Sequence, residues 1–253
     1  MNNIVLISRH YLLRALSDRV NCALLLLLPL GLTMVYTAVN LNMFDLEMGG
    51  ATASVSSTIF AALFMVSFQF FSGELVFYRI YEDMRGTMSN RLFMTPITVR
   101  TFIGGVAAAS WVFNIVQAAL IFAIPALIFG ANWGNPLVFI GVLLMISVIS
   151  QLIGALISLV VPKFGVAKGI HAGLCFLMMG LSGGLPIPIG TNDVMIFIMQ
   201  YGTPLGLGFQ AIINSGYVMD DMPQAMLNMG ILACIMVVLA VIVAILAKRR
   251  QTP

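Results

Sequence analysis

The chain has 253 residues, of which 60% are hydrophobic and only 8% charged, with a mean hydropathy of +1.05. A soluble domain carries about a quarter charged residues, so this composition excludes an ordinary water-soluble globule and calls for a bilayer. The net charge of +3 reports membrane orientation and gives no argument for nucleic acid, and Cys22, Cys175 and Cys234, all within apolar runs, imply no disulfide framework.

Residues 1–19 predict an amphipathic helix lying in the membrane interface. Ile4, Val5, Tyr11, Leu12, Ala15 and Leu16 share one face at 3.6 residues per turn, with His10, Arg14, Ser17 and Asn21 opposite. Arg19 falls on the apolar side, from where it can snorkel to the headgroups. The segment is longer and more polar than a signal n-region, so the apolar run after it is expected to be an uncleaved helix.

A bilayer-crossing helix needs roughly 20 apolar residues. Stretches free of Asp, Glu, Lys and Arg run from Val20 to Phe44, Met48 to Gly73, Thr101 to Pro162, Gly169 to Asn192 and Met222 to Ala247. The third is long enough for two helices and is broken by GANWGNP, Gly130 to Pro136, a turn-forming cluster. Six spans follow, near 20–40, 53–77, 103–129, 137–161, 169–189 and 225–247, with Pro29 and Pro125 placed to kink two of them. Six spans put both termini and all 12 Lys and Arg residues on one side, and leave Asp45, Glu47, Asp193, Asp220 and Asp221 on the other. Because Lys and Arg of short loops stay cytoplasmic, residues 1–253 are expected to form one multi-pass domain of the cell membrane with both ends in the cytoplasm. Ser182 to Pro223 is apolar yet punctuated by Gly and Pro. Its pieces Asp193 to Tyr201 and Pro204 to Ser215 are too short to cross and suit re-entrant or interfacial helices, so residues 182–223 are expected to form an outer lid.

Within the second span, Phe60, Phe64, Phe68 and Phe71 share a face, with Met65 and Gln69 beside them. Such a stripe serves either ordinary packing and lipid contact or a wall that holds hydrophobic molecules. Glu74 stands near the inner end of this span, where an ionisable group is costly; it either pairs with Arg79 or Arg100 or reaches the headgroups. Gly169 and Gly173 form a small-x-x-x-small pair, for packing within the chain or between subunits, and His171 between them reads as structural. No His, Cys, Asp or Glu cluster has metal-ligand spacing. GLSG, Gly180 to Gly183, matches the G-x-S-G of rhomboid-type intramembrane serine proteases, but that chemistry needs a histidine in reach of the serine. His171 precedes Ser182 by about 16 Å of helix rise, which excludes catalysis. The inverted repeats and midplane charges of many secondary transporters are not visible either.

Between the second and third spans, YRIYEDMRGTMSNRLFMTP, Tyr78 to Pro96, gathers Arg79, Glu82, Asp83, Arg85 and Arg91, with Gly86 for a sharp turn and Thr95-Pro96 to start the next helix. On charge alone it is a solvated inner loop. However, E-D-M-R-G-T, Glu82 to Thr87, followed by R-L-F-M-T-P-I-T-V-R-T-F-I-G-G, Arg91 to Gly105, resembles the segment after the second span in membrane subunits of the ABC type-2 exporter family. The amphipathic N-terminal helix, the six spans and the Gly- and Pro-rich outer segment extend that resemblance over the chain.

The resemblance implies an all-α permease in which residues 78–96 form a coupling helix received by a separate ATP-binding subunit. Glu82, Asp83, Arg85, Gly86, Thr87 and Arg91 would belong to that contact, and PKFGVAK, Pro162 to Lys168, to a smaller one. It also implies two permease subunits, identical or different, and a second span that helps line a central cavity. The chain has no G-x-x-x-x-G-K-[ST] phosphate loop. ATP and magnesium are therefore expected on the partner, with no cofactor and no enzymatic activity on this chain. An apolar cavity wall points to a hydrophobic or amphipathic cargo moved out of the cytoplasm by alternating access: a drug, antibiotic, peptide or lipid-like molecule. Polysaccharide export and ATP-independent transport are the alternatives.

Overall fold

The computed structural model describes residues 3–17, 65–86, 97–129, 133–183, 192–216 and 219–249, with residues 62, 63, 89 and 94 and scattered positions between 27 and 39. Among the described residues the fold is all-helical: α1 (Asn3–Ser17), α2 (Gly73–Arg85), α3 (Val99–Phe129), α4 (Pro136–Val160), α5 (Phe164–Leu181), α6 (Asp193–Tyr201), α7 (Pro204–Ile213) and α8 (Met222–Arg249). An isolated bridge joins Ser215 and Asp220. Helices α3, α4, α5 and α8 are long and apolar enough to cross a membrane, and α6 with α7, bent by 86°, adds a fifth if the pair is one broken span. Of the expected spans near 20–40 and 53–77, the first lies largely and the second partly outside the described residues, so the count of six extends beyond them.

Local chemistry accounts for the helix starts. The turn that splits the long apolar run ends at Asn135, whose side chain accepts the Leu137 N–H at 3.0 Å, and Pro136 takes the first helical position of α4. Asn192 caps α6, and Thr203 caps α7 by accepting the Gly206 N–H at 2.9 Å, again followed by a proline. α3 continues helically through Pro125.

The central helix is α4: 56% of its span is buried, against 11% of that of α8. Its Phe139, Val142, Leu143, Ile146 and Ile149 pack with Met65, Val66 and Phe70, with Leu205 and Ala211 of α7 and with Leu232 of α8. The outer faces of α3, α5 and α8 carry exposed Val116, Phe176, Leu177, Val237, Val238 and Val241, an apolar exterior that a bilayer solvates and water does not. Chain direction places the starts of α3 and α5 and the ends of α2, α4 and α8 at one end of the bundle. Arg9, Arg14, Arg79, Arg85, Arg100, Lys163, Lys168, Lys248 and Arg249 all lie at this end, and Asp193, Asp220 and Asp221 at the other.

Across the basic end lies α1, packed on α3. Ile7 is buried at Gly105, where a Cβ would run into the Ile7 side chain. This redraws the expected amphipathic division. Tyr11 and Arg14, assigned to opposite faces, both follow Ile7 onto the protein side, while Val5, Leu6, Leu13 and Leu16 are more than half exposed. The physical reason is a buried acid, Asp83, that takes both polar groups. Gly105→Ala should therefore weaken α1 docking by about 1–3 kcal/mol, the usual cost of overpacking. Gly104→Ala, one residue away with nothing within 4 Å of its new Cβ among the described residues, should leave docking intact and favour α3 by about 1 kcal/mol. Amide hydrogen exchange of residues 3–17 separates the two outcomes.

Candidate functional site

Sequence reading places a boundary between span and coupling helix at residue 77; the structure has none there. α2 runs unbroken from Gly73 to Arg85, burying Leu75, Val76, Phe77, Arg79, Ile80, Tyr81 and Asp83 and exposing Tyr78 and Glu82. It stops at Gly86, whose N–H bonds the Glu82 carbonyl at 2.8 Å. Gly86 has φ −81° and ψ −169°, so the expected sharp turn is an extended exit. Glycine is needed for a different reason, since a Cβ would run into that same carbonyl.

On one side α2 is clasped by α1. The Asp83 carboxylate accepts the Tyr11 hydroxyl and Arg14 Nη1, the latter at 3.2 Å from both oxygens. Arg14 Nη2 also reaches Glu82 Oε2 at 3.2 Å, and Arg79 reaches the same oxygen at 3.4 Å. Burial, and after it the bond to Asp83, push the Tyr11 phenol above its ordinary value. The Tyr11 ring packs edge-on to Phe102 of α3, centroids 5.8 Å apart.

On the other side α2 is held by α4 and α5. The Tyr81 hydroxyl donates to the Pro162 carbonyl, and Arg85 Nη2 donates to the Leu159 carbonyl at 3.3 Å. A cation near the last carbonyls of α4 is also favoured by the helix dipole. The Arg85 guanidinium lies 5.3 Å over the Tyr81 ring. Phe77 stacks on His171 at 5.4 Å and on Phe164 at 6.0 Å, both of α5. His171 thus serves packing, while Ser182 donates to the Met179 carbonyl at 3.1 Å.

The residues expected to contact an ATPase therefore divide. Glu82 faces outward, its side chain 44% exposed, whereas Asp83 and Arg85 are engaged within the chain, and Thr87 and Arg91 lie outside the described residues. The expected cavity wall divides as well. Phe60 and Phe64 lie outside the described residues. Phe68 and Phe71 are half-buried, and Phe71 meets Phe176 of α5 edge-on at 5.4 Å. Met65 and Gln69 are fully buried, so these two belong to the packed interior; Met65 sits among the α4 side chains, and Gln69 donates to the Asn114 carbonyl at 3.3 Å. Glu74 forms no ion pair among the described residues; of its expected partners, Arg79 reaches Glu82 at 3.4 Å and Arg100 donates to the Ala244 carbonyl at 2.9 Å. Gly169 and Gly173 are exposed on α5, and a Cβ on either meets nothing within 4 Å among the described residues.

Sequence reasoning missed a buried polar seam between α2, α3 and α4. Asn114 Nδ2 donates to Ser72 Oγ at 3.1 Å and to Ser147 Oγ at 2.6 Å, and Ser150 Oγ accepts the Gly73 N–H at 3.0 Å. The available signal was polar residues recurring inside apolar runs, Asn114 and Gln117 on α3 and Ser147, Ser150 and Gln151 on α4.

Comparison with curated proteins finds no match. A family model described as ABC-2 family transporter protein matches residues 4–245, from the first turn of α1 to near the end of α8. Members of that family are transmembrane transporter subunits, not themselves catalytic, that generally work with an ABC ATP-binding subunit. With nearly its whole length covered, this multi-pass chain belongs to the ABC-2 transporter family as a permease subunit.

Proposed function

We propose that this chain is the permease of an ATP-driven exporter in the cell membrane, with both termini cytoplasmic. The observation that carries the reading is the end of α2. It presents the exposed Glu82 at the end of the bundle where the described Lys and Arg residues gather. That end is also bound to α1 through Asp83, to α4 through Arg85 and to α5 through Phe77. A push on it reaches three further helices at once, which is what a coupling element requires. ATP and magnesium sit on the partner subunit in this reading, received around Glu82, Gly86, Thr87 and Arg91, with Asp83 and Arg85 holding the element in shape. A second permease, identical or related, completes the transporter, and the open face of Gly169 and Gly173 suits close approach of its helices. The half-buried Phe68 and Phe71 suit a hydrophobic or amphipathic cargo, moved by alternating access. α6 and α7 form the outer lid.

Glu82→Ala tests the reading. Its ion pairs are partly solvated and contribute little to folding, so the variant should insert and keep α1 docked. Co-purification of the ATP-binding subunit should drop at least tenfold. Undiminished recovery of that subunit, with undiminished hydrolysis in the complex, would remove Glu82 from the contact.

A further inference from the structure

The seam surrounds an interruption in the backbone of the second helical segment. Residues 65–71 are helical and α2 resumes at Gly73. At the junction the Ser72 N–H turns to the Gln69 carbonyl at 3.3 Å, and the Ser72 hydroxyl reaches the same carbonyl at 2.6 Å. The Gly73 N–H points away from its own helix to Ser150 Oγ of α4, and the Ser150 hydroxyl in turn donates to the Phe70 carbonyl. One side chain thus bridges the donor on one side of the break and the acceptor on the other. Insertion of a side chain into the helical ladder is a recognised cause of a bend.

The surroundings leave little freedom there. A Cβ on Gly73 would run into Ser150, and a Cβ on Gly154, one turn further along α4, would lie 2.6 Å from the Gly73 carbonyl and 3.2 Å from Phe77 Cβ. On the opposite side Asn114 of α3 fixes Ser72. Below the break, α2 is tied to α4 again by Arg85. Two attachments, about three turns apart, make α2 and the inner half of α4 one rigid piece. The segment before Ser72 meets that piece through the bridged break and through the core that Met65, Val66 and Phe70 share with α4.

We propose that Ser150 is a positioning residue that holds the break at Ser72–Gly73 as a fulcrum, so that force on the end of α2 is carried into α4. This rests on the coupling role proposed above. Ser147→Ala provides the control, because the Ser147 hydroxyl bonds side chains of the same seam, Asn114 and Gln151, and no backbone of α2.

The experiment is hydrogen exchange on the full chain in nanodiscs, alone and assembled with its ATP-binding subunit. Alone, Ser150→Ala should raise exchange across residues 70–77 about tenfold, as expected for a buried N–H and carbonyl left unpaired, with α8 unchanged; Ser147→Ala should leave residues 70–77 near wild type. In the complex, ATP should alter exchange across α4 in wild type and in Ser147→Ala. In Ser150→Ala that response should be lost while the ATPase still binds and hydrolyses. Wild-type exchange at residues 70–77 in isolated Ser150→Ala, or an ATP response in α4 that survives the substitution, overturns the proposal. If the wild-type complex itself shows no ATP response, the coupling reading fails and the fulcrum with it, even where the isolated chain shows the tenfold change; Ser150 is then a structural hydrogen bond.

Discussion

Asp83→Ala should release α1 from the bundle. The carboxylate is buried and receives the Tyr11 hydroxyl and Arg14 together, so its removal leaves a phenol and part of a guanidinium facing an empty acceptor. A hydrogen bond to a charged group contributes about 1.5–3 kcal/mol. Arg14 retains solvent and Glu82, its side chain being 36% exposed, so its share is discounted. A loss of about 2 kcal/mol, or roughly thirtyfold in the ratio of docked to undocked α1, is expected, read as faster exchange of residues 3–17. Glu82→Ala should move the same amides far less, and equal effects from the two variants would refute the assignment of Asp83 as anchor. In a double-mutant cycle, Tyr11→Phe should give most of its cost only when Asp83 is present.

The same clasp sets an alkaline limit. Tyr11 titrates above its ordinary value in the folded chain, so docking favours the protonated phenol. That contribution is complete below the ordinary tyrosine value of about 10 and is lost as pH rises beyond it. A spin label on α1 should report immobility that is flat from neutrality to about pH 10 and then declines. Tyr11→Phe should abolish the decline specific to this group.

What could be read in advance follows from the range of the forces involved. Hydropathy is a local property, and α3, α4, α5 and α8 follow from it. Asn135-Pro136 and Thr203-Pro204 are local start signals, and α4 and α7 begin at them. The clasp was illegible because Tyr11 and Asp83 stand 72 residues apart, and nothing near Tyr11 in the chain marks it as the partner of an acid. The same distance misled the reading of α1: a wheel drawn for a helix between lipid and water has no place for a third surroundings, the protein itself. Gln69 and Met65 neighbour the phenylalanines in sequence, which makes them candidates for the same wall or packing face. On a helix, however, 65 and 69 share a face that 68 and 71 do not, and in the structure that face is the one packed on α3 and α4. At Gly86 the sequence suggests freedom to turn, whereas the property the structure uses is the lack of a side chain, which the Glu82 carbonyl demands.

Gly154→Val should separate α2 from α4 and be among the most damaging single changes in the bundle. Taken alone, replacing an interior helical glycine by valine gains a few tenths of a kcal/mol of helix propensity. Against that, the first added carbon would lie 2.6 Å from the Gly73 carbonyl and 3.3 Å from the Phe77 nitrogen. These are backbone atoms, which no rotamer change can move aside. Gly73 cannot retreat, because its N–H is held by Ser150 on the same face of α4. Overpacking costs about 1–3 kcal/mol where side chains can yield, and the upper end is expected where they cannot. Gly230→Val on α8, with nothing within 4 Å of its Cβ among the described residues, makes the same chemical change without an obstacle there. Thermal unfolding in nanodiscs should show a lowered midpoint for Gly154→Val and little change for Gly230→Val; coincident midpoints would mean that α2 and α4 do not meet at this glycine. Because α2 leans on α4 at this contact as well as through Ser150 and Arg85, the coupling role proposed above predicts that Gly154→Val in the assembled complex also disconnects ATP hydrolysis from motion of α4 at temperatures where the chain is still folded, which a purely stabilising contact elsewhere in the bundle would not do.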